Sequence, residues 1–417
     1  MQTFDLDTWT QKAADLLKGN RIEIDGYRYT APSFDIVDFG RRDYANQFML
    51  DSCFHAIAWA QIDPVMARDE LLSLVSRQVK NGPDAGMIPH CNYWLGGASW
   101  LWGQDDRSSI TELPLIATAA WLVHQYDDRR DFLEAIYTPM CAYHDWFERR
   151  RDFDGDGLVS LIHPWEGGGD ALPRWDKPMK LDSFSHIAGR DARLALAQQI
   201  TKYDGDARAL GEAGWFSVEP MDYNAVRVAD MEAMAKIAEA LGKPEDAEMW
   251  ERRIDRVRHA FQAKMIIQGR PYDLAGLDEQ PILQDSAGQF TTLFGGMLTR
   301  AQADGLVRQL QEKRFWTPYP ITTTPTDDVT FDAKIYWRGN VWPCVNWLIY
   351  RGLRRYGYDD LADELAERSM TLLEQSGFRE YFHPITGEGL GGEQFSWATL
   401  MVAMATSTAR KVSEARD

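Results

Sequence analysis

The sequence predicts an all-α protein of paired helices, most simply about six helical hairpins closed into a toroid. Apolar residues recur at helical spacing in one segment after another, whereas alternating strand patterns are scarce. Glycines and short turns separate consecutive segments, which is typical of antiparallel helix pairs. One alternative stays open, because an open helical solenoid would give the same periodicity.

The first half of the chain supplies six of these helices. They are predicted at roughly residues 5–18, 46–60, 64–79, 111–126, 130–150 and 190–203. The clearest strand pattern consists of residues 21–24 and 27–30. Asp25 and Gly26 between them form a turn pair that favours a tight hairpin.

The second half contains the clearest helical hairpin. Its first helix, within 226–241, carries apolar residues three and four apart, and Gly242 marks its end. Pro244 then begins the next helix, where its missing N–H is not needed. A similar pair surrounds Gly357, and a last helix covers roughly 395–412. No Pro/Ser-rich linker interrupts the series, so residues 1–417 are predicted to form one domain.

Charge and composition exclude several classes of function. With 63 acidic and 45 basic residues the net charge is −18, which disfavours nucleic acid and anionic membranes as partners. The N-terminus shows no export signal and no segment is long enough to cross a bilayer. The four cysteines form no CxxC pair. We therefore expect a cytoplasmic protein with no metal or cofactor, and leave open a homo-oligomer.

Aromatic residues are abundant and unusually placed. The chain has 16 Trp and 16 Tyr. Several lie in polar, glycine-rich stretches rather than on helix faces, namely Tyr93, Trp94, Trp100, Trp102, Trp165, Trp175, Tyr336 and Trp337. Aromatic rings among loop carboxylates suit sugars, because a pyranose has an apolar face and a polar rim. The pattern favours a sugar site over purely structural loops.

The stretches between helices at 81–110, 152–182, 314–340 and 377–394 are long and rich in Gly, Pro and aromatics. Long loops in a compact domain are usually functional, and in a helical barrel these would meet at one mouth. The second stretch holds three consecutive glycines, Gly167–Gly169, followed by Asp170. A carboxyl group beside aromatic surface has a raised pKa, as a general acid requires.

The fourth stretch places Glu380 just past a helix end among aromatic residues, where it could activate water. Asp170 and Glu380 are 210 residues apart but could meet across a barrel mouth. Two carboxyl groups facing one glycosidic bond are the minimum for glycoside hydrolysis. The competing interpretation is that these acids pair with arginines, and Arg174 and Arg379 are the nearest candidates.

One acidic pattern is interpreted as structural. Asp152, Asp154 and Asp156 begin like a calcium loop, but His163 stands where the loop needs Glu. A glycine-rich turn is therefore expected rather than a metal site. The histidines show no metal-binding spacing, and His55 and His144 are expected to be core or surface residues.

Five segments together resemble the trehalase-like and family 63 glycoside hydrolases, closest to the bacterial mannosylglycerate/glucosylglycerate hydrolase group. They are DSCFHAI (51–57), DFDGDGLVSLIHPWEGGGD (152–170), PRWD (173–176), YWRGNVWP (336–343) and the FREYFHP to FSW run (378–397). The resemblance covers about residue 44 to the C-terminus. It implies an (α/α)₆ barrel with long loops at one mouth and an inverting mechanism, with Asp170 as acid and Glu380 as base.

The resemblance also implies a sugar subsite. It would be lined by Asp51, Trp165, Tyr336, Trp337 and Gln394. The same segments supply four further candidates for binding substrate, namely Glu166, Trp175, Arg338 and Trp397, and residues 111–114 supply a fifth, Glu112.

The chain departs from the family at places expected to contact substrate. Phe48 and Leu50 stand where the family has tryptophan, and Glu112 stands where it has glutamine. Around Asp170 the family has Ser-Gly-x-Asp-Asn-Ser-Pro, and this chain has 167–173 as GGGDALP. We interpret this as retained chemistry with a changed substrate. Glu112 would repel an anionic leaving group if it lies nearby.

The prediction is an inverting hydrolase of a small α-glucosyl or α-mannosyl substrate. That substrate would resemble glucosylglycerate or mannosylglycerate, or be a short α-glucoside. Two alternatives remain at this point. One is another (α/α)-barrel sugar enzyme, an epimerase or lyase, which would use His or Tyr as base. The other is a sugar-binding barrel without catalysis, which would lack one of the two carboxyl groups.

Overall fold

The computed structural model describes residues 4–34, 43–182 and 185–414. Within them the first eight helices are α1 Leu6–Gly19, α2 Met49–Ala60, α3 Pro64–Ser76, α4 Ser99–Trp102, α5 Ile116–Asp127, α6 Arg130–Arg150, α7 His186–Lys202 and α8 Ala207–Glu212. The remaining helices are α9 Met221–Ala240, α10 Pro244–Ala260, α11 Gly288–Thr291, α12 Arg300–Leu310, α13 Pro343–Arg355, α14 Asp359–Ser376 and α15 Thr399–Glu414.

Short strands lie in the segments between the helices. They are β1 Arg21–Ile24, β2 Tyr27–Thr30, β3 Gln47–Phe48, β4 Cys91–Asn92, β5 Val218–Glu219, β6 Ile266–Ile267, β7 Arg270–Pro271, β8 Asp273–Ala275, β9 Gln280–Ile282, β10 Arg379–Phe382 and β11 Gly389–Glu393. All pairings are antiparallel, in the order β1-β2, β3-β4, β5-β8-β9, β6-β7 and β10-β11.

The helices form two concentric rings. An inner ring runs α2, α5, α9, α11, α13 and α15, each packed on the next, and it closes because α15 packs on α2. Each inner helix has an outer partner in α3, α6, α10, α12, α14 or α1. The protein is therefore an (α/α)₆ barrel, and the open solenoid that periodicity allowed is wrong.

Most of the helices predicted from periodicity are present to within a few residues at one or both ends. The β1-β2 hairpin has the predicted bounds, since Asp25 and Gly26 take positive φ angles of 51° and 79° and make a tight turn. Two features escaped sequence analysis. The short α11 and α12 complete the ring, and the 377–394 loop contains the β10-β11 hairpin.

Three hydrogen bonds fasten the start of the chain to the segment before α15. Asn20 donates from Nδ2 to the Gln394 carbonyl (3.0 Å), and Ser33 donates from Oγ to the Glu393 carbonyl (2.7 Å). Ser396 donates its backbone N–H to the Pro32 carbonyl (2.8 Å). Residues 360 to 374 positions apart thus hold one edge of the ring together.

No helix in the described part of the chain is long and apolar enough to cross a membrane.

Candidate active site

A cavity of about 810 Å³ opens at the end of the barrel where several inner helices begin. Asp51 lies in the first turn of α2, Glu112 precedes α5, and Trp397 immediately precedes α15. Helical hairpins alternate direction, so inner helices run the same way and their first turns meet at one end. The loops that precede these helices therefore converge, although their sequences are far apart.

Asp170 lies in the wall of this cavity, half-buried, at the end of the Gly167–Gly169 run. The loop is fixed because Trp175 Nε1 donates to the Gly169 carbonyl (2.7 Å) and Arg193 donates to the Asp170 carbonyl (3.3 Å). Burial raises the pKa of the Asp170 carboxyl to about 6, against the opposing charge of Arg193. A carboxyl group with this pKa can carry a proton near neutrality.

Glu380 lies in the same cavity, on β10, and its side chain is 2% exposed. Tyr44 donates its hydroxyl to Oε1 (3.0 Å) and the Gly392 backbone N–H donates to Oε2 (2.9 Å). Burial raises the pKa of Glu380 to about 7, although these donors and the Tyr336 hydroxyl favour the carboxylate. Both oxygens of Glu380 are thereby held in fixed positions.

The backbone requires glycine next to Glu380. Gly391 has a φ of 67°, and a Cβ built there would lie 2.3 Å from Glu380 Oε2. Any side chain at this position would displace the carboxylate as well as strain the turn.

Two more carboxyl groups line the inner part of the cavity. Asp51 is 7% exposed, its Oδ1 makes no hydrogen bond within the described residues, and burial raises its pKa to about 6. Glu112 accepts the Leu50 backbone N–H on Oε2 (2.8 Å). Burial, with Asp51 as a like-charged neighbour, raises the pKa of Glu112 well above its usual value. Burial therefore favours the protonated form of Glu112, which is able to donate a hydrogen bond.

Aromatic rings line the cavity beside Asp51 and Glu112, and together with these two acids they form what we call its inner wall. Trp165 stacks on His90 with 6.3 Å between ring centroids, and burial lowers the pKa of His90 to about 4, so that imidazole is neutral. Tyr336 and Trp397 lie beside Glu380, and Trp397 donates Nε1 to the Glu380 carbonyl (2.9 Å). The apolar faces and polar rim of a sugar ring match such a wall.

The structure brings together seven of the predicted site residues in this cavity: Asp51, Glu112, Trp165, Asp170, Tyr336, Glu380 and Trp397. Five others lie outside its wall. Glu166 is fully buried and held by Arg151 (2.7 Å), and Trp175 is buried behind the glycine run. The prediction that Glu166 and Trp175 bind substrate is corrected, because their polar atoms already bind protein groups.

The other three predicted residues also lie outside the cavity wall. Trp337 is buried and stacks on Trp342 with 3.7 Å between ring centroids. Arg338 is buried and donates two hydrogen bonds to Asp176 (2.7 and 2.5 Å). Gln394 is exposed and contributes its carbonyl to the Asn20 contact. Trp337 and Arg338 support the cavity from behind instead of lining it.

Several lining residues were absent from the predicted set. They are Tyr44, Asn46, Phe48, His90, Tyr93 and Trp100, together with Arg190 and Leu194 on α7. A sequence signal existed for two of them, because Tyr93 and Trp100 belong to the aromatic-rich, glycine-rich loop. Tyr44 and His90 carry no local pattern that distinguishes them from core residues.

Arg174 and Arg379, which the competing interpretation paired with the two acids, both have other partners. Arg174 pairs with Asp222 (2.5 Å) and Asp273 (3.1 Å), and Arg379 pairs with Glu393 (2.8 Å). Neither arginine therefore neutralises Asp170 or Glu380.

The two helical histidines are core residues, as expected. His144 lies 3.1 Å from Asp230 and His55 lies 2.5 Å from the Ser396 hydroxyl.

The Asp152, Asp154 and Asp156 carboxylates cluster within 4.8 Å of one another, as a calcium loop would require. The Lys264 ammonium lies 2.6 Å from Asp154 and 2.8 Å from Asp156. Asp152 accepts the backbone N–H groups of residues 155 and 157. A lysine therefore supplies the positive charge, in agreement with a structural turn.

Comparison with known proteins matches this chain to one family. Residues 44–398 match the model of the mannosylglycerate hydrolase MGH1-like glycoside hydrolase domain. A mannosylglycerate hydrolase of Thermus thermophilus is 30% identical over 397 residues, covering 86% of this chain and 93% of that protein. A glucosylglycerate hydrolase of Mycolicibacterium hassiacum is 27% identical, covering 94% of this chain and 96% of that protein.

Solved structures agree with the sequence matches. The family 63 mannosylglycerate hydrolase of Thermus thermophilus, in complex with Tris and D-glycerate, superposes with a TM-score of 0.85 at 28% identity. The superposition covers 95% of this chain and 100% of that chain. A neutral trehalase from Saccharomyces cerevisiae has a TM-score of 0.61 at 15% identity and covers 97% of this chain and 82% of its own, which shows a shared fold.

Proposed function

The chain belongs to the mannosylglycerate hydrolase MGH1-like family of glycoside hydrolases, and from that premise we propose that it hydrolyses small α-glucosyl or α-mannosyl compounds with inversion. Asp170 is the general acid and Glu380 the general base. The observation that carries the proposal is the pairing of these carboxyl groups in one cavity, with no cationic side chain hydrogen-bonded to either carboxylate in the described residues.

The division of roles follows from the surroundings of each carboxyl group. Hydrogen-bond donors hold both oxygens of Glu380, which favours the anion that accepts a proton from water. Asp170 receives no donor from another residue among those described, so its protonated form loses nothing by donating to a leaving oxygen. Asp170 accordingly serves as the acid.

The reaction is a single displacement. The Asp170 proton moves to the glycosidic oxygen as the bond from that oxygen to the anomeric carbon breaks. Water attacks the opposite face of the sugar, and Glu380 takes its proton. Inversion requires the two carboxyl groups to stand roughly 6.5–9.5 Å apart, so that this water fits between base and sugar.

The working protonation state is a minor one in the free protein. The pKa of Asp170 is about 6 and that of Glu380 about 7, the reverse of the order that the roles require. Asp170 protonated with Glu380 ionised is therefore not the favoured arrangement in the free protein. Substrate shifts the balance, because the leaving oxygen accepts a hydrogen bond from protonated Asp170 while water donates one to Glu380.

The sugar occupies the inner wall. Asp51 offers an oxygen with no protein partner in the described residues, Glu112 offers a proton, and Trp165 and Trp397 offer ring surfaces. Because burial favours its protonated form, Glu112 can donate to a sugar hydroxyl group and repels an anion less strongly than a carboxylate would. Epimerase, lyase and non-catalytic alternatives lose their support, since the family is hydrolytic and both carboxyl groups are present.

A substrate panel tests the proposal. It contains α-glucosyl and α-mannosyl derivatives of glycerate and glycerol, with trehalose and kojibiose as disaccharides. We expect release of free glucose or mannose from at least one compound, with the β-anomer forming first in time-resolved ¹H NMR. Initial release of the α-anomer would refute inversion, and no cleavage across the panel would refute the proposed substrate class.

A further inference from the structure

We propose that Trp100 forms an outer subsite that stacks on the leaving group, so that the preferred leaving group is an uncharged ring, such as a second sugar. This inference rests on the proposed function, because it assigns a substrate to the same cavity. It distinguishes a short α-glycoside from an open-chain acid such as glycerate.

Trp100 is exposed in an unusual place. Its side chain is 65% accessible, yet it lines the same cavity as Asp170 and Glu380. It makes no hydrogen bond or ring contact with another described residue. A large aromatic ring left uncovered at the mouth of a sugar site costs solvation free energy, which a stacked ligand would recover.

The loop around Trp100 is nevertheless well fixed. Trp102 is 2% exposed, packs edge-on against Trp165 at 6.0 Å between centroids, and donates Nε1 to the Tyr93 hydroxyl (3.2 Å). Asp105 accepts the Gly97 backbone N–H (2.9 Å). Trp102 therefore anchors α4 to the barrel while Trp100, two residues earlier, presents its ring on the other side. A preorganised ring loses little entropy when a ligand stacks on it.

The cavity has room for two rings. Its volume of about 810 Å³ lies in the upper part of the range of roughly 300–1,000 Å³ typical of small-molecule sites. The inner wall carries Asp51, Glu112 and Trp165. The outer wall consists of Gly96, Gly97, Ala98, Trp100 and Leu101 with Arg190 and Leu194. Apart from Arg190 these residues carry no charged side chain, and Trp100, Leu101 and Leu194 offer apolar surface to the face of a ring.

The charges of the lining residues also favour a neutral leaving group. The described lining residues include four carboxyl groups and one guanidinium, that of Arg190, while His90 is neutral. Arg190 itself lies 2.9 Å from the Asp191 carboxylate. Ionised Asp51 and Glu380 would repel a carboxylate on the leaving group, whereas a neutral sugar meets no such repulsion.

The test compares substrates with and without a leaving-group ring. Wild type, Trp100→Ala and Trp100→Phe are assayed on α-glucosyl and α-mannosyl fluoride, on α-linked disaccharides, and on glucosylglycerate and mannosylglycerate. Leu95→Ala is the matched control, because Leu95 is 78% exposed in the same loop but lies outside the cavity wall.

We expect wild type to prefer a disaccharide to either glycosylglycerate. Trp100→Ala should lower kcat/KM for the disaccharide about three- to tenfold, mainly through KM, and leave fluoride hydrolysis within about twofold. Trp100→Phe should fall between the two, and Leu95→Ala should match wild type.

Three results would overturn the inference. These are a wild-type preference for a glycosylglycerate over every disaccharide, equal losses on fluoride and disaccharide, and a change in oligomeric state by Trp100→Ala with KM unchanged. The last would mean that a second copy of the chain covers this ring. Failure of wild type to cleave even the fluorides would instead refute the proposed function, so the two failures are distinguishable.

Discussion

Two groups of acidic residues in this protein have opposite surroundings. Of the turn carboxyls, Asp154 and Asp156 contact the Lys264 ammonium and Asp152 lies 3.9 Å from the Arg256 guanidinium, and all three accept backbone N–H groups of their own turn. The pocket carboxyls, Asp51, Glu112, Asp170 and Glu380, line a cavity and have no lysine or arginine hydrogen-bonded to their carboxylates among the described residues.

The comparison explains where chemistry is possible. An ion pair stabilises a carboxylate and keeps it ionised, whereas burial without a cation raises the pKa until the group can exchange a proton near neutrality. The turn carboxyls are the more conspicuous in the sequence, because they are closely spaced. The pocket carboxyls are dispersed over 330 positions and become a group only in the folded barrel.

Conservative substitution should separate the two groups most strongly. Asp170→Asn and Glu380→Gln each remove a proton-transfer group, and we expect kcat to fall by about 10²–10⁴-fold. Asp154→Asn changes the same chemistry in the turn and should leave kcat unchanged. Steady-state kinetics on the best panel substrate would measure this. An active Asp170→Asn or Glu380→Gln variant would show that the reacting pair has been misidentified.

The dependence of kcat/KM on pH should also distinguish the pocket carboxyls from the turn carboxyls, with an expected effect of about tenfold. Below pH 6 both Asp170 and Glu380 are protonated, so no base is available, and above pH 7 both are ionised, so no acid is available. We expect kcat/KM to be bell-shaped, with a maximum between pH 6 and 7 and a tenfold decrease for each unit beyond the limbs. Asp154→Asn should give the same curve. A plateau extending to pH 9 would contradict the assignment of Asp170 as acid.

The smallest expected effect concerns Lys264. Lys264→Met leaves Asp154, Asp156 and Glu279 without their shared cation, since all three lie within 2.8 Å of the ammonium. Because the site is partly exposed, the free energy of unfolding should fall by only about 1 kcal/mol, and less at high salt. Urea denaturation measures the loss, and kcat should be unchanged. A large loss of activity would mean that the turn communicates with the pocket.

Sequence patterns predicted the helices well, because their apolar periodicity is local. Periodicity alone could not distinguish a closed ring from an open solenoid, since the α15 contact with α2 joins residues about 350 positions apart. The family resemblance is what indicated closure. Helix α12 was missed although its Thr299 capping box is present, because the preceding stretch mixes short strands with turns.

For the site, too, local motifs were informative and contacts between distant residues were not predictable. Motifs placed Asp170 and Glu380 in one cavity with five of their predicted neighbours. They could not separate Trp165, which lines the cavity, from Trp175 and Trp337, which are buried behind it. Both kinds of tryptophan lie in glycine-rich loops, and only the direction of the side chain distinguishes them. Tyr44 was missed because its role depends on a contact with Glu380, 336 positions away.

Closure of the barrel also dictates how the protein is made. Helices α1 and α2 emerge from the ribosome first, yet both pack against α15, and residues 20 and 33 bind the segment just before it. Their apolar faces must wait for more than 300 further residues to be synthesised, which takes tens of seconds at translation rates of about 5–20 residues per second. We expect the nascent chain to expose these faces during that interval, and the ring to close only when the last helix packs on the first two.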